Sequence, residues 1–399
     1  MATRVIVNIA ELTTNDPTLG DHSSMGRIND AALVVDERHV LWVGETANAP
    51  DADEMIDARD AAVIPGFVDS HTHLVFAGER SDEFEARMAG RRYDGGGIGR
   101  TVAATREASL DTLRERTGAR VRELRASGVT TIEVKSGYEL TVSGEARLLD
   151  VAREFTDEVT FLGAHVVPEE FYHDRDGYVD LVCGDMLDTC ASKARWVDVF
   201  CERGAFDVDE ARQILLAGQR AGLAIRVHGN QLGGTGGVAL AVELDAASVD
   251  HCTYVSESDR AALAGSHTVA TLLPGAEFST RSPYPSGRQF LDAGVVVALA
   301  TDCNPGTSYV TNMGLIVALA VREMGMSVDE ALWAATAGGA RALRRSDIGH
   351  LGVGANADVV LLDAPRAAHL AYRPGSTIVR QVLTAQRVHE GVVGQLPDS

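Results

Sequence analysis

Two histidines one residue apart, His71 and His73, follow a short apolar run in the segment PGFVDSHTHLVFAGER, which spans residues 65–80. Side chains at positions i and i+2 of a β-strand point to the same side of the sheet. Both imidazoles can therefore reach one point in space, and neutral imidazole is a common metal ligand. The spacing favours half of a metal site over two unrelated polar residues.

Further polar side chains follow later apolar runs, in the segments GAHVVP, RVHGNQ, VDHCTY and ALATDCNPGTS. These side chains are His165, His228, Gln231, His251 and Asp302. A single histidine at a strand end is more often a hydrogen-bonded structural residue than a ligand. The combination of His71, His73, His228 and Asp302 is different, because it offers three nitrogens and one carboxylate. That set suits one Zn²⁺ or iron ion (Fe²⁺ or Fe³⁺) per subunit, with a position left for water.

The elements that must position these side chains are short apolar runs that alternate with helical stretches between residue 64 and about residue 325. The runs are rich in Val and Ile and lack strict alternation, as expected for parallel strands buried on both faces. Eight β/α units predict a (β/α)8 TIM barrel, whose active site lies at the C-terminal ends of the strands. A doubly wound α/β sheet is the alternative, but no glycine-rich phosphate fingerprint follows its first strand.

The eight predicted strands are Val63–Asp69, Val129–Lys135, Thr160–Ala164, Trp196–Phe200, Ala224–Val227, Ala247–Asp250, Val269–Leu273 and Val295–Ala300. Helices are predicted at Leu110–Ser127, Gly144–Glu154, Val208–Ala221 and Gly236–Leu244.

Both ends of the chain have a different pattern. Residues 3–62 and 355–391 contain alternating segments, such as ALVVDERHVLWVGE and ADVVLLDAP, that predict antiparallel hairpins. Neither end alone has enough strands for a stable β module. We therefore predict one small β-sandwich domain, built from residues 1–62 and 346–399, and a barrel formed by residues 63–345.

Three residues near the predicted site have less certain roles. Lys135 ends the second predicted strand and, if carboxylated, could bridge two metals. The fourth predicted strand ends in FCE and offers no lysine, so a single metal with Lys135 as an outer or structural cation is the simpler interpretation. Cys252 and Cys303 each follow a site residue directly, and alternation along a strand points both into the barrel wall as structural residues.

Composition limits the class of protein. The formal net charge is −21, which disfavours nucleic acid and anionic membranes as partners. Only two of the 36 basic residues, Lys135 and Lys193, are lysines, and such a surface suits a halophilic source, since concentrated salt screens its self-repulsion. No apolar run is long enough to span a bilayer, and no leader pattern begins the chain. The five cysteines include no CxxC pair, so we expect reduced thiols and a cytoplasmic protein.

With HxH, two later histidines and a late aspartate at strand ends, the sequence resembles the amidohydrolase superfamily. The tail GHLGVGANADVVLLDA adds to this resemblance. Within the superfamily the chain is most similar to the imidazolonepropionase family, over nearly its whole length. The resembling segments are PGFVDSHTHLVFAGER, GGGIGRTVAATREAS, GVTTIEVKSGY, TFLGAHVVP, DVFCERGAF, LLPGAEF and ALATDCNPGTS.

The resemblance implies hydrolysis of 4-imidazolone-5-propanoate to N-formimidoyl-L-glutamate in histidine degradation, in a homodimer. It implies that His71, His73, His228 and Asp302 hold the metal and that His251 is a catalytic residue. The chemistry of ring opening adds two expectations: Asp302 takes a proton from the attacking water, and Gln231 orients the water or the ring nitrogens. The implied substrate contacts are Arg80, Tyr138, His165, Gln231, Asn304, Gly306 and Thr307. Arg80 would bind the propanoate with its planar fork, although a surface salt bridge with Glu79 or Asp82 is the simpler interpretation of that residue alone.

The sequence departs from the family's usual pattern at three places, and none is a proposed ligand. Glu139 replaces a usual glycine, Gly229 and Asn230 replace Ala-Asp, and TAGGA at 336–340 replaces a usual Asn-Ala-Ala. Two other functions stay open at this point. One is another cyclic amidase or a deaminase of the same superfamily, and the other is a non-catalytic metal-binding scaffold.

Overall fold

The computed structural model describes residues 2–91 and 97–385. These residues divide into two compact units. The first comprises residues 2–69, 122–131 and 312–385, and the second comprises residues 70–91, 97–121 and 132–311.

The strands of the described residues are β1 (Arg4–Leu12), β2 (Ile28–Val35), β3 (Val40–Glu45), β4 (Glu54–Pro65), β5 (Phe67–Asp69), β6 (Val129–Ile132), β7 (Val134–Lys135), β8 (Val159–Ala164), β9 (Trp196–Cys201), β10 (Ala224–Gly229), β11 (Ser248–His251), β12 (Val269–Leu272), β13 (Val297–Leu299), β14 (Val359–Leu362) and β15 (Val379–Leu383). The α-helices are α1 (Ser81–Met88), α2 (Ile98–Glu107), α3 (Leu110–Ala126), α4 (Val142–Arg153), α5 (Arg175–Leu181), α6 (Leu187–Cys190), α7 (Val208–Arg220), α8 (Gly237–Glu243), α9 (Glu257–Ala264), α10 (Pro274–Thr280), α11 (Gly287–Asp292), α12 (Met313–Glu323), α13 (Val328–Trp333), α14 (Gly339–Ala342) and α15 (His369–Tyr372).

The first unit contains a six-stranded sheet in the order β15-β14-β4-β1-β2-β3. β1 runs antiparallel to β2 and parallel to β4, and β14 pairs antiparallel with β4 and β15. Strands from the two ends of the chain thus share one sheet and one apolar core, which includes Ile6, Leu33 and Leu361. The prediction that both ends build a β-rich module is confirmed, while the predicted hairpin residues 386–391 lie outside the described residues.

The first predicted barrel strand, Val63–Asp69, was drawn too long. Val63, Ile64 and Pro65 belong to β4 in the six-stranded sheet, where they pair with β14. Gly66 follows β4, and only glycine fits there, because a Cβ at this residue would lie 2.2 Å from the hydroxyl of Thr130. Only Phe67–Asp69 continues as a separate strand, β5, which pairs with β6.

The second unit is built on a seven-stranded parallel sheet in the order β13-β12-β11-β10-β9-β8-β7. The segment that contains His71 and His73 joins the two edges of this sheet and closes it into a barrel. The amide of Asp302 donates to the carbonyl of His71 at 3.0 Å, Thr72 bridges to Cys303, and the amide of Lys135 donates to the carbonyl of Thr72 at 3.0 Å. The α/β barrel prediction is confirmed. The second predicted strand, Val129–Lys135, is divided at Glu133 into β6, which pairs with β5, and β7, which belongs to the seven-stranded sheet. Each of the six later predicted strands is present within two residues of its predicted bounds.

The four predicted helices form as α3, α4, α7 and α8. Local capping explains their starts: Thr141 accepts from the amide of Gly144 at the start of α4, and Asp207 forms a capping box with Glu210 at the start of α7. In the described part of the chain, no helix has the length and apolarity required to cross a membrane.

Candidate metal centre and active site

The four predicted metal ligands meet at the C-terminal ends of the parallel strands. The Nε2 atom of His73 lies 3.3 Å from Nε2 of His71 and 3.2 Å from Nε2 of His228. The Oδ1 atom of Asp302 lies 3.5 Å from Nε2 of His71 and 3.6 Å from Nε2 of His73. All four side chains are buried. Residues as distant in the chain as His71 and Asp302 therefore bring their ligand atoms close together.

These atoms fit a bound divalent metal. A tetrahedral ion with ligand distances of about 2.0–2.1 Å has ligand atoms about 3.3 Å apart, close to the observed spacings. His71, His73 and Asp302 form one set of ligand atoms within 4.8 Å of one another, and His71, His228 and His251 form a second. Neutral imidazole nitrogens that face each other at this distance are most simply explained by a shared cation.

Two buried carboxylates fix the orientation of the ligand histidines. Nδ1 of His71 lies 2.7 Å from Oδ2 of Asp250, and Nδ1 of His228 lies 3.0 Å from Oδ2 of Asp198. A proton on each Nδ1 leaves a lone pair on each Nε2. Carboxylate–histidine pairs of this kind set both the tautomer and the ring direction at metal sites.

Burial and charge keep these groups in the required protonation states. Burial lowers the pKa of His71 and of His73 well below 6.5, so both rings are neutral at neutral pH. Burial alone would raise the pKa of Asp198 and of Asp250. The attraction of Asp198 to His228 and Lys135, and of Asp250 to Arg226 and Lys135, outweighs burial and lowers both. Burial also raises the pKa of Asp302, and a bound cation would oppose that effect.

Two site residues have left-handed backbones. His251 has φ of 80° and Asp302 has φ of 52°, a region that residues other than glycine seldom occupy. Such strain persists where the surrounding structure enforces it, and it concentrates at functional sites. At His251 it also ends the strand alternation, so that Asp250 and His251 both reach the centre.

The loop after Asp302 is held by its own side chains. Oδ1 of Asn304 accepts from the amides of Gly306 at 2.8 Å and Thr307 at 2.7 Å, and Nδ2 of Asn304 donates to the carbonyl of Asp302 at 2.6 Å. The hydroxyl of Thr307 donates to Oδ2 of Asp302 at 3.2 Å. Asn304 therefore shapes the loop, and Thr307 fixes the aspartate.

Arg80 is buried beside this loop. Its Nε and Nη2 atoms donate to the two carboxylate oxygens of Glu83 at 2.9 and 2.6 Å. The alternative expectation of a surface pair with Glu79 or Asp82 is wrong, because Arg80 precedes α1 and Glu83 lies in its first turn. The Nη1 end faces the loop, and a Cβ at Gly306 would lie 2.3 Å from it.

Tyr138 and His165 form an aromatic wall next to His73. The ring of His165 stacks on His73 with centroids 5.3 Å apart, and the ring of Tyr138 lies 5.3 Å from His165. Nδ1 of His165 donates to the carbonyl of Gly137 at 3.0 Å, which leaves Nε2 as an acceptor. Burial lowers the pKa of His165 to about 3, so it is neutral at neutral pH.

Gln231 and His251 complete the site. The amides of Gln231 and Leu232 donate to Oε2 of the buried Glu202 at 2.8 and 3.0 Å, which fixes the turn after β10. Nδ1 of His251 is buried and has no hydrogen-bond partner among the described residues. A donor or acceptor without a protein partner is available for substrate.

One cavity gathers the predicted residues. The residues that line it include all the predicted site residues except His71, which lies beneath His73. They are His73, Arg80, Ile98, Tyr138, His165, Val166, Phe200, His228, Gln231, His251, Asp302, Asn304, Gly306 and Thr307.

Sequence reasoning did not identify the carboxylates that support the site. They are Glu83, Glu133, Asp198, Glu202 and Asp250. A usable signal was present, because Glu133, Asp198 and Asp250 are the single acidic residues of three predicted barrel strands and all three are buried, where an acid needs a specific partner. Lys135 is their partner, with Nζ 2.9 Å from both Glu133 and Asp198, and these contacts disfavour the carboxylated, metal-bridging form.

Comparison with known proteins agrees with this geometry. A model of the amidohydrolase family matches residues 62–388. A relative named imidazolonepropionase from Mycolicibacterium smegmatis is 61% identical over 383 residues, which cover 96% of each chain. Another of the same name, from Streptomyces coelicolor, is 59% identical over 378 residues, covering 95% of this chain and 97% of that protein.

Solved structures show the same fold at low sequence identity. A mutant of atrazine chlorohydrolase from Arthrobacter aurescens TC1, complexed with zinc and atraton, has a TM-score of 0.74 and 17% identity, with 96% of this chain and 94% of that chain covered. Ochratoxinase from A. niger has a TM-score of 0.68 and 18% identity over 96% of this chain and 94% of that chain. At these identities the likeness concerns the fold alone.

Proposed function

This chain belongs to the amidohydrolase family and, within it, to the imidazolonepropionases, and we propose that it hydrolyses 4-imidazolone-5-propanoate to N-formimidoyl-L-glutamate in histidine degradation. The observation that carries the proposal is a cavity whose lining includes three of the four proposed metal ligands, His73, His228 and Asp302, and the buried Arg80. The cluster suits activation of water. The arginine suits a substrate with a carboxylate arm.

We propose His71, His73, His228 and Asp302 as the ligands of one Zn²⁺ or iron ion, supported by four distances of 3.2–3.6 Å between their ligand atoms. When bound, such an ion lowers the pKa of a coordinated water towards ~7 and polarises a carbonyl. Asp302 is placed to hold the water proton on Oδ2, the oxygen that also accepts from Thr307. Hydrolysis breaks the ring C–N amide bond, and the proton passes to the leaving nitrogen.

His251 is proposed to contact the ring carbonyl. Its buried Nδ1 lacks a protein partner, so its ring is free to donate to an oxygen that gains negative charge. A single well-aimed donor contributes roughly 3–4 kcal/mol to such a transition state. Gln231 is proposed to orient the water or a ring nitrogen, since an amide side chain cannot act as a general base.

The substrate's two ends match different walls of the cavity. Arg80 is proposed to bind the propanoate through its Nη1 end, because Glu83 already occupies the Nε and Nη2 edge. Tyr138 is proposed as a second contact to this arm. His165 offers Nε2 as an acceptor for a ring N–H, since its Nδ1 donates to the carbonyl of Gly137. Asn304, Gly306 and Thr307 are proposed to complete the site as a preformed loop.

Three finer properties are also proposed. The metal is zinc or iron, which suit the same nitrogen and oxygen ligands. The enzyme is proposed to be cytoplasmic and, as the family resemblance implies, a homodimer. It works in concentrated salt, supported by a net charge of −21 with two lysines among 36 basic residues.

A turnover assay with freshly prepared 4-imidazolone-5-propanoate tests the proposed function. The loss of the imidazolone absorbance is followed for the protein as isolated, after chelation, and after return of Zn²⁺ or Fe²⁺. We expect activity that chelation abolishes and one metal equivalent per chain restores. Activity that is unchanged in metal-free protein would contradict the proposal. An aminopurine or a ring without the propanoate arm is the control substrate.

A further inference from the structure

Lys135 lies at the centre of a buried charge network beneath the metal cluster. Its Nζ atom is 2.9 Å from Oε1 of Glu133, 2.9 Å from Oδ2 of Asp198 and 4.0 Å from Oδ2 of Asp250. All four residues are fully buried. A buried ammonium group is stable only when carboxylates compensate its charge, and buried carboxylates likewise require a cation.

Each carboxylate connects Lys135 to a different part of the proposed metal site. Thr72 lies between the two histidines of the HxH pair. Its amide donates to Oε2 of Glu133 at 3.1 Å, and its hydroxyl donates to the Glu133 carbonyl at 2.6 Å. Asp198 lies 3.0 Å from Nδ1 of His228. Asp250 lies 2.7 Å from Nδ1 of His71. Lys135 thus lies next to the carboxylates that hold Nδ1 of His71 and of His228, and next to a third carboxylate that holds Thr72 between the two histidines of the pair.

The charge balance shows why this arrangement depends on Lys135. Without it, Glu133, Asp198 and Asp250 would face one another with Arg226 as the remaining cation, and Nη2 of Arg226 is 3.3 Å from Asp250. Glu133 would lose the ammonium group that lies 2.9 Å away, and Asp198 would keep Nδ1 of His228 at 3.0 Å but lose its contact with Nζ. Carboxylates that repel one another rotate apart, and such a rotation releases the Nδ1 atoms that Asp198 and Asp250 hold.

We propose that Lys135 is a positioning residue that keeps the histidine ligands in their metal-binding orientation before any metal arrives. This inference rests on the metal site proposed above. If Lys135 has this role, the histidines already have their metal-binding orientation in metal-free protein. In the alternative, they adopt that orientation only when the ion binds. A purely structural role for Lys135 would affect folding stability without a separate effect on metal affinity.

The chain provides its own probe, because it contains only two lysines. Protein labelled with [15N]lysine should show two Nζ signals, and the Lys193→Met variant assigns them. Lys193 pairs with Asp150 in a partly exposed position, so its ammonium protons should exchange quickly with solvent. We expect the Lys135 signal to be slowly exchanging and at the same position in metal-free and zinc-loaded protein. A signal that appears or moves only when zinc is added would overturn the proposal.

Zinc affinity supplies the second test. We compare the dissociation constant of Zn²⁺, measured by competition with a chelator, for wild type, Lys135→Met and the matched control Lys193→Met. Loss of an outer partner of a metal ligand typically weakens metal affinity about 10–100-fold. We expect a loss of that size for Lys135→Met and a change of less than about twofold for Lys193→Met, which removes the same side chain near the surface.

The outcomes separate the two proposals. A folded Lys135→Met protein that binds zinc as tightly as wild type overturns the positioning role and leaves the proposed function intact. Wild-type protein that binds neither zinc nor iron overturns the proposed function itself. Where Lys135→Met does not fold, the signals of metal-free wild type still decide, because they report the preformed network directly.

Discussion

Replacing His251 by asparagine separates catalysis from metal binding. Asparagine tolerates the left-handed backbone that His251 adopts at φ of 80°, so the turn after β11 should survive. Nδ1 of His251 has no hydrogen-bond partner among the described residues, so its removal leaves no protein group without a partner at that position. The change therefore removes the imidazole with little effect on the surrounding structure.

The expected loss follows from the role of one aimed donor. Removing such a group costs about 3–4 kcal/mol in the transition state, which corresponds to a kcat lower by about 100- to 1,000-fold. KM should change little, because the interaction forms as the oxyanion develops. Zinc content should remain at the wild-type level, because His71, His73, His228 and Asp302 are unchanged.

Two measurements on the same preparations test this reasoning: kcat from the imidazolone absorbance and metal content by elemental analysis. His267→Asn is the matched control, since His267 is exposed and pairs only with the surface residue Asp245. A variant that keeps kcat within tenfold of wild type would refute the catalytic role. Loss of bound metal would instead assign His251 as a ligand, as the close spacing of His71, His228 and His251 permits.

Three further predictions concern specificity, pH and salt. Arg80→Met should raise KM for the propanoate substrate roughly 30- to 100-fold, the size expected for the loss of one charged hydrogen-bonded contact. Arg212→Met, which removes an arginine at the surface, is the control. A KM of Arg80→Met equal to that of wild type would contradict the prediction. Burial raises the pKa of Glu277 to about 7, above its unfolded value of 4.5, so the stability it contributes is complete below about pH 4.5 and is lost as pH rises through 7. Relative to metal-free Glu277→Gln, metal-free wild type should thus lose about 3 kcal/mol in unfolding free energy between pH 4.5 and 8, and parallel pH profiles would exclude this. Tm should rise from 0.1 M to several molar KCl, and a flat profile would exclude the halophilic interpretation.

The positions of the ligands could be predicted because the fold converges them. The four proposed ligands follow three separate apolar runs, His71 and His73 after the first, His228 after the second and Asp302 after the third. The C-terminal ends of parallel strands meet at one end of a barrel. No knowledge of side-chain packing is needed for that step. The spacing of the HxH pair adds the direction of two side chains, since i and i+2 share a face.

The support for those ligands could not be predicted, because it depends on backbone conformations that the pattern does not reveal. Alternation along β11 would point Asp250 and His251 to opposite faces. The left-handed φ of His251 breaks that rule, so Asp250 orients His71 while His251 reaches the cavity. Likewise, the partner of Arg80 depends on where α1 begins, which places Glu83 rather than Glu79 or Asp82 within reach.

Incorporation of oxygen from water into the product tests the central claim most directly. The zinc- or iron-loaded enzyme is given 4-imidazolone-5-propanoate in water enriched in oxygen-18, and the product is analysed by mass spectrometry. The account predicts N-formimidoyl-L-glutamate with one oxygen-18 atom in the carboxylate formed from the ring carbonyl, one product per substrate consumed. No ring opening by the metal-loaded enzyme, or a product without that atom, would contradict it.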